Sequence, residues 1–390
     1  MKTKLLYIGA MVVAGLTFSS CSDDFLDQTN SHQLSQDAFF DSDEAVEKNI
    51  WPLYSYVWFD FNDKFYYGMG DGRANNITAQ YSNYIYPYTN FTETSLSQGL
   101  SEAWAALYSV VDQSDNAVIN IQTKSSSNVS QTAKEQCTAE ARFMRGVAYW
   151  YIGSLWGCGV IYENPTQHVN NYVIPANPRT DVIEYAIRDL EYAAKYLPAS
   201  QTGAGRVTKY SAYGMLSRVY LTMAGLTTEG QYNGSNVQTN FNSGQRNPYY
   251  LDLAKKAAAK VINESGAKLL DDYAALFNYN TINNNSESLF QLQFMPGTGV
   301  GGAGQSMSRF LAWSTMVADQ NAWGGATYCS YDLFEEFSNY EDNTLGTVID
   351  DKTRRHNSVA SSGESCPELS ADPSDPYVYR VTEDPGNHCA

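Results

Sequence analysis

The stretch Glu140–Gly157, "EARFMRGVAYWYIGSLWG", decides how the rest of the chain is read. Met144, Val147, Ala148, Tyr151 and Leu155 recur at intervals of three and four, so they fall on one face of an α-helix. The pattern runs from Ala133 to Trp156, and Gly157 and Gly159 end it. Toward the C-terminus, Asp181–Leu197 places Ile183, Ala186, Ile187, Leu190, Ala194 and Leu197 on one face. Asp181 with Glu184 reads as a capping box, and Pro198 as a stop. Thr208 caps the next helix, whose face is Ala212, Leu216, Val219, Tyr220 and Met223. Tyr249–Asn263 follows with Leu251, Ala254, Ala258 and Val261 aligned. Small residues at contact positions and large ones between them make two successive helix pairs of tetratricopeptide type. The repeat is not strictly periodic, because loops are inserted within each pair.

Toward the N-terminus, Asp41–Val57 reads as helical, with acids near its positive dipole end. Phe59–Phe91 is aromatic and polar, broken by Gly68, Gly70 and Gly72, and reads as loops and short strands. In "YGMGDGRANN", Tyr67–Asn76, the glycines are expected to supply positive φ in a turn-rich loop. Next comes "ITAQYSNYIYPYTNFT", Ile77–Thr92, with Tyr81, Tyr84, Tyr86, Tyr88 and Phe91 and no charge. In an extended chain Tyr84, Tyr86 and Tyr88 share one side, while Ile85 and Phe91 face inward. Pro87 makes the stretch an edge or a loop. Far downstream, Leu289–Phe294 alternates like a strand and Gly297–Gly304 is a glycine loop. Met307–Ala326 is apolar and aromatic, with Trp313 and Trp323, and Tyr331–Phe337 reads as a short helix. Beyond Asp350 the sequence is rich in Ser, Pro and Asp, with no core-forming period.

The first twenty residues form a secretory signal: a basic start at Lys2 and Lys4, an apolar run Leu5–Phe18, then small residues. Cys21 follows directly and reads as the acylated first residue of a bacterial lipoprotein; the alternative is an ordinary signal with an incidental cysteine. A polar tether, residues 21–36, leads into a single domain spanning 37–390. The formal net charge is −17, and removing the two signal lysines makes it more negative. That speaks against nucleic acid as a partner and against lying flat on an anionic membrane. Cys137 and Cys158 are expected about 31 Å apart along one helix, too far to bridge. The four histidines are isolated, and no HExxH, CxxC, GxSxG or P-loop pattern is present, so neither a metal nor another cofactor is implied. "DSDEAVE" lacks the rhythm of a calcium loop. Paired carboxylates for glycoside hydrolysis are not legible in a sequence with 42 acids.

Four motifs together carry a family resemblance. They are "CSDDFLD" (Cys21–Asp27) with "DAFFDSDEAVE", "EARFMRGVAYWYIGSLWG", "GRVTKYSAYGMLSRVYL" (Gly205–Leu221) and "WGGATYCSYDLFEEF" (Trp323–Phe337). "DDKTRR", Asp350–Arg355, extends the last. In this order the chain resembles the SusD/RagB family of outer-membrane nutrient-binding lipoproteins over roughly residues 21–355. The resemblance implies a mostly helical fold, with tetratricopeptide-like pairs packed against an irregular, loop-rich ligand-binding face. It implies a surface-exposed lipoprotein, anchored through Cys21, that binds oligosaccharides without catalysis and passes them to a TonB-dependent, SusC-like transporter. Peptide uptake and surface glycoside hydrolysis are the alternative functions, and a scaffold without a small ligand is a third. The "EARFMRG" segment is expected to be structural. Family members usually continue well past Arg355 through another helical pair, so this chain is expected to be cut short and its repeat stack uncapped.

The resemblance also places the site. One ligand-stacking aromatic of the family precedes the helix that begins near Trp104, and another precedes the segment matching "WGGATYC". By position these fall within Tyr81–Tyr86 and on Trp323. Tyr81, Tyr84, Tyr86 and Trp323 are therefore expected to form an aromatic platform, with Asn83 as a hydrogen-bonding neighbour and Trp313 as a weaker member. Flat rings with polar tips match the apolar faces and hydroxyl edges of sugars.

Overall fold

A computed structural model describes residues 39–79, 82–170, 173–240, 244–278, 280–294, 327–339, 352–359, 363–367, 370 and 374–378. The signal segment, Cys21 and the tether lie outside the described residues. Helix α1, Asp43–Lys48, starts at Ser42, whose side chain accepts from the Ala45 N–H at 3.2 Å, with Asp43 and Glu44 in its first turn. The expected helix to Val57 is broken: Pro52 introduces the short 3-10 turns Trp51–Tyr54 and Tyr56–Trp58. Two π-helical turns follow, Phe61–Phe65 and Gly68–Gly72, and then strand β1, Ile77–Thr78. Short helix α2 is Tyr86–Thr89.

Long helices then build the body: α3, Leu100–Lys124; α4, Gln131–Trp156; α5, Arg179–Tyr196; α6, Lys209–Leu226; and α7, Pro248–Glu264. Each packs on its predecessor, so the architecture is a stack of helix pairs. Strands β2, Cys158–Gly159, and β3, Asn177–Pro178, pair between α4 and α5. Downstream come strand β4, Tyr328–Cys329, helix α8, Tyr331–Asn339, helix α9, Lys352–His356, and a two-residue pairing of β5, Ser365–Cys366, with β6, Tyr377–Val378. Among the described residues no helix is long and apolar enough to cross a membrane.

Helix α4 is the keel. Ser130 caps it, and the Asp43 carboxylate accepts from both the Ser130 N–H and hydroxyl, which ties α1 to the cap. Its middle, including Phe143, Met144, Ala148, Tyr149 and Ile152, is buried all round, because α3 and α5 flank it. Gly146 and Gly153 lie two turns apart and let α5 approach closely. A Cβ at Gly153 would stand 2.8 Å from Ile183 Cδ1, and one at Gly146 3.0 Å from Leu190 Cγ. Gly157 ends the helix at φ +79, in the left-handed region open to glycine. Cys137 is buried within α4 and Cys158 lies just beyond it in β2; neither is bridged.

The "EARFMRG" charges are structural, as expected. Arg145 makes a fork to Asp189 of α5, both contacts 2.7 Å, and its remaining arm reaches Asp115 of α3. Arg142 adds a bond to Asp189 at 2.7 Å. Glu140 accepts from Arg206 at 3.2 Å and from the Tyr54 hydroxyl, so the second and third sequence motifs are joined by a buried ion pair. Buried charges need such partners; one left alone costs several kcal/mol. Asp115 is fully buried, and burial raises its carboxyl to about 7 against the pull of Arg145.

Several expectations are corrected. Helix α5 begins at Arg179, not at an Asp181 capping box; Asp181 instead accepts from the Tyr232 hydroxyl. Helix α7 is rotated relative to the expected face. Tyr250, Ala254 and Ala257 are buried and Leu251 is exposed, because the Tyr250 hydroxyl reaches Glu184 and its ring lies 6.2 Å from Tyr220. Leu289–Phe294 forms no strand. Among the described residues no strand pairs with it; Phe290 inserts edge-on against Phe143 and the Leu289 carbonyl accepts from Ser211.

Candidate ligand-binding site

The candidate site begins with Gly68–Gly72. The glycines here do not supply positive φ; that backbone belongs to Asn75, at φ 60. Gly68 is needed for contact: a Cβ on it would stand 2.5 Å from the Tyr84 carbonyl oxygen. The π-helical turn thereby packs under the tyrosine stretch. Tyr67, Ala79 and Ile85 form a small buried cluster, with Ile77 and Tyr84 packed against it. Burial drives the Tyr67 phenol well above its ordinary range.

The tyrosine stretch is not extended. The Ser82 carbonyl accepts from the N–H groups of Ile85 and Tyr86 at 3.0 and 2.8 Å, and the chain turns into α2 with Pro87 in its first turn. The side-chain period changes from two to nearly four. Ile85 and Tyr88 point into the core, and Tyr86 points out, 48% exposed. Tyr88 meets Phe65 edge-on at 5.7 Å, and Phe65 stacks on Trp156, so the expectation that Tyr84, Tyr86 and Tyr88 share one side is overturned. Phe91 was expected inward but is 63% exposed at φ 55, under the Arg73 guanidinium at 4.6 Å. Arg73 is itself paired with Glu93.

A short ladder brings a distant part of the chain to this turn. Ile77 pairs with Cys329 and Thr78 with Tyr328, antiparallel. The Ser330 N–H donates to the Asn76 carbonyl at 2.9 Å, and Asn75 donates to Asp332 at 2.6 Å. Among the expected site residues, Asn83 is exposed, Tyr84 is half-buried with its ring beside Gly99, and Tyr86 is open to solvent. Tyr81, Trp313 and Trp323 lie outside the described residues. The ladder pairs residues that shortly precede Tyr81–Tyr86 in sequence with residues that shortly follow Trp323. Tyr331, at the start of α8 directly after β4, is 60% exposed.

This edge offers exposed rings, an amide and backbone edges. Among the described residues no group of three or more His, Cys, Asp or Glu side chains is placed to hold a metal ion. Asp115, whose carboxyl burial raises to about 7, is fully buried within the helix stack.

Comparisons with known proteins agree with the fold and the sequence motifs. Residues 24–221 match the model of a SusD-like family described as "Starch-binding associating with outer membrane". A SusD-like protein of Bacteroides ovatus is 37% identical over 297 residues, covering 76% of this chain and 50% of that protein. The chain thus spans about half the length of this relative. A crystal structure containing a xylogluco-oligosaccharide superposes with a TM-score of 0.72 at 32% identity, covering 86% of this chain and 61% of the other. A SusD homologue of Bacteroides thetaiotaomicron shares the fold, with a TM-score of 0.61 at 19% identity over 78% of this chain and 57% of its own.

Proposed function

Because the chain belongs to the SusD-like family, we propose that it is a non-catalytic, cell-surface glycan-binding lipoprotein. In this reading Cys21 carries the lipid anchor in the outer membrane. Oligosaccharides bind at the edge formed by Tyr81, Asn83, Tyr84, Tyr86 and Trp323, with Trp313 nearby, and pass to a TonB-dependent, SusC-like transporter. The observation that carries the reading is the β1–β4 ladder. It pairs Ile77, which packs in one small cluster with Tyr84 and Ile85, with Cys329 downstream of Trp323 in sequence, which supports a two-part site. The oligosaccharide-bound relative supports a carbohydrate ligand. A ring that is flat, apolar on its face and polar at its tip loses little entropy on binding a sugar.

A glycan array run beside a peptide array tests the ligand class. Signal on neutral glycans and none on peptides is the expected outcome; signal on peptides alone would replace sugar with peptide as the cargo. Incubating the protein with the glycans it binds should release no new reducing ends. Their appearance would make the protein a hydrolase.

A further inference from the structure

Among the described residues Trp51 is the tryptophan most open to solvent, 52% exposed on the turn that follows α1. It lines a crevice of about 430 Å³ with Glu47, Arg206 and the run Gly203–Ala204–Gly205. The run has no side chain larger than a methyl, so its peptide edges are open. Gly205 has φ +82, and a Cβ there would lie 2.9 Å from Gln293 Nε2. Gln293 donates to Asn284 at 2.7 Å, which fixes its amide and leaves its carbonyl oxygen with no donor among the described residues. Glu47 accepts from Arg206 at 3.1 Å, and the rest of that guanidinium is held by Glu140.

The crevice is therefore preorganised before any ligand arrives. Its cation is already consumed, so an anionic ligand finds no free charge. Arg206 also offsets the one exposed acid, Glu47. The chemistry left is a flat indole face beside fixed hydrogen-bond acceptors and bare peptide groups. A neutral sugar ring satisfies both: its C–H face covers the indole and its hydroxyls donate to Glu47 and Gln293.

We infer that this crevice is a second contact for a neutral sugar, sharing no residue with the Asn83–Tyr86 edge. It rests on the glycan-binding reading and deepens it. Two contacts on one chain would hold a long glycan more tightly than either alone.

Calorimetric titration of the whole protein with a neutral xylogluco-oligosaccharide tests it. The wild type should show two sites. Trp51→Ala should lose one, and Gln293→Ala should weaken the same one at least about tenfold, the usual scale for truncating a central contact. Melting curves of both variants should match the wild type, since Trp51 is exposed. Tyr86→Ala with Trp323→Ala should lose the other site and keep this one. Two intact sites in Trp51→Ala, or a single site indifferent to it, overturns the inference and leaves the glycan-binding reading standing. Absence of any neutral-glycan signal on the array overturns both.

Discussion

In the stack of α3 to α6, helices touch through Gly146 and Gly153 and are pinned by Arg145 between Asp115 and Asp189. At the β1–β4 edge, contacts among the described residues include two residue pairs, the Ser330–Asn76 backbone bond, the Asn75–Asp332 bond and a small buried cluster. Both regions are rich in aromatic rings. In the stack the rings are packed: Tyr149 is fully buried and lies edge-on to Tyr185 at 5.1 Å. At the edge, Tyr86, Phe91 and Tyr331 stand in solvent. The same residue type thus packs in one region and is exposed in the other.

Breaking the stack should have the largest effect. Asp189→Ala leaves Arg145 and Arg142 short of a partner inside the protein, and should cost about 3–5 kcal/mol in urea unfolding. Tyr88→Ala and Tyr86→Ala then set the two kinds of ring side by side in one turn. Tyr88→Ala empties a buried site against Phe65 and should cost about 3–5 kcal/mol. Tyr86→Ala should move the unfolding midpoint by no more than about 0.5 kcal/mol while weakening glycan binding. Equal destabilisation by the two would erase the distinction drawn here.

The glycines sharpen the same contrast. Gly153→Ala drives a methyl into Ile183 and should cost about 1–3 kcal/mol. Gly70→Ala meets nothing within 4 Å and should be near neutral.

A pH dependence probes the stack separately. The Asp115 carboxyl is raised in the fold to about 7, above its unfolded value of about 3.9. Between those values the native state keeps a proton that the unfolded chain has released, so this group's contribution to stability is lost as pH rises through that window. Asp115→Asn cannot ionise. The wild type should therefore lose stability relative to this variant between pH 5 and pH 8. A difference independent of pH would show that Asp115 stays ionised in the native state.

Helices α4 to α7 were legible because their apolar spacing is long and regular, and Thr208 was legible as a cap because the signal is local. Charge partners were not. Glu140 and Arg206 lie far apart in sequence, and nothing local pairs them. The Tyr84–Tyr88 stretch failed for another reason. Its run is too short to separate a period of two from one of nearly four, and Pro87 fits an edge strand and a helical first turn alike. The face of α7 was misjudged by one position because a tyrosine with a hydroxyl partner displaced a leucine from the contact. Among the expected site residues Asn83 and Tyr86 are exposed, while Phe91, expected inward, lies outward under Arg73.

The central claim is that glycan binds at the edge joined by β1 and β4. Affinity electrophoresis in gels containing a neutral glycan taken from the array's positive signals tests it most directly, comparing the wild type with Tyr86→Ala combined with Trp323→Ala. The account predicts that the wild type is retarded and that the double variant runs as in a glycan-free gel, with its helical circular dichroism unchanged. Undiminished retardation of a folded double variant would contradict it.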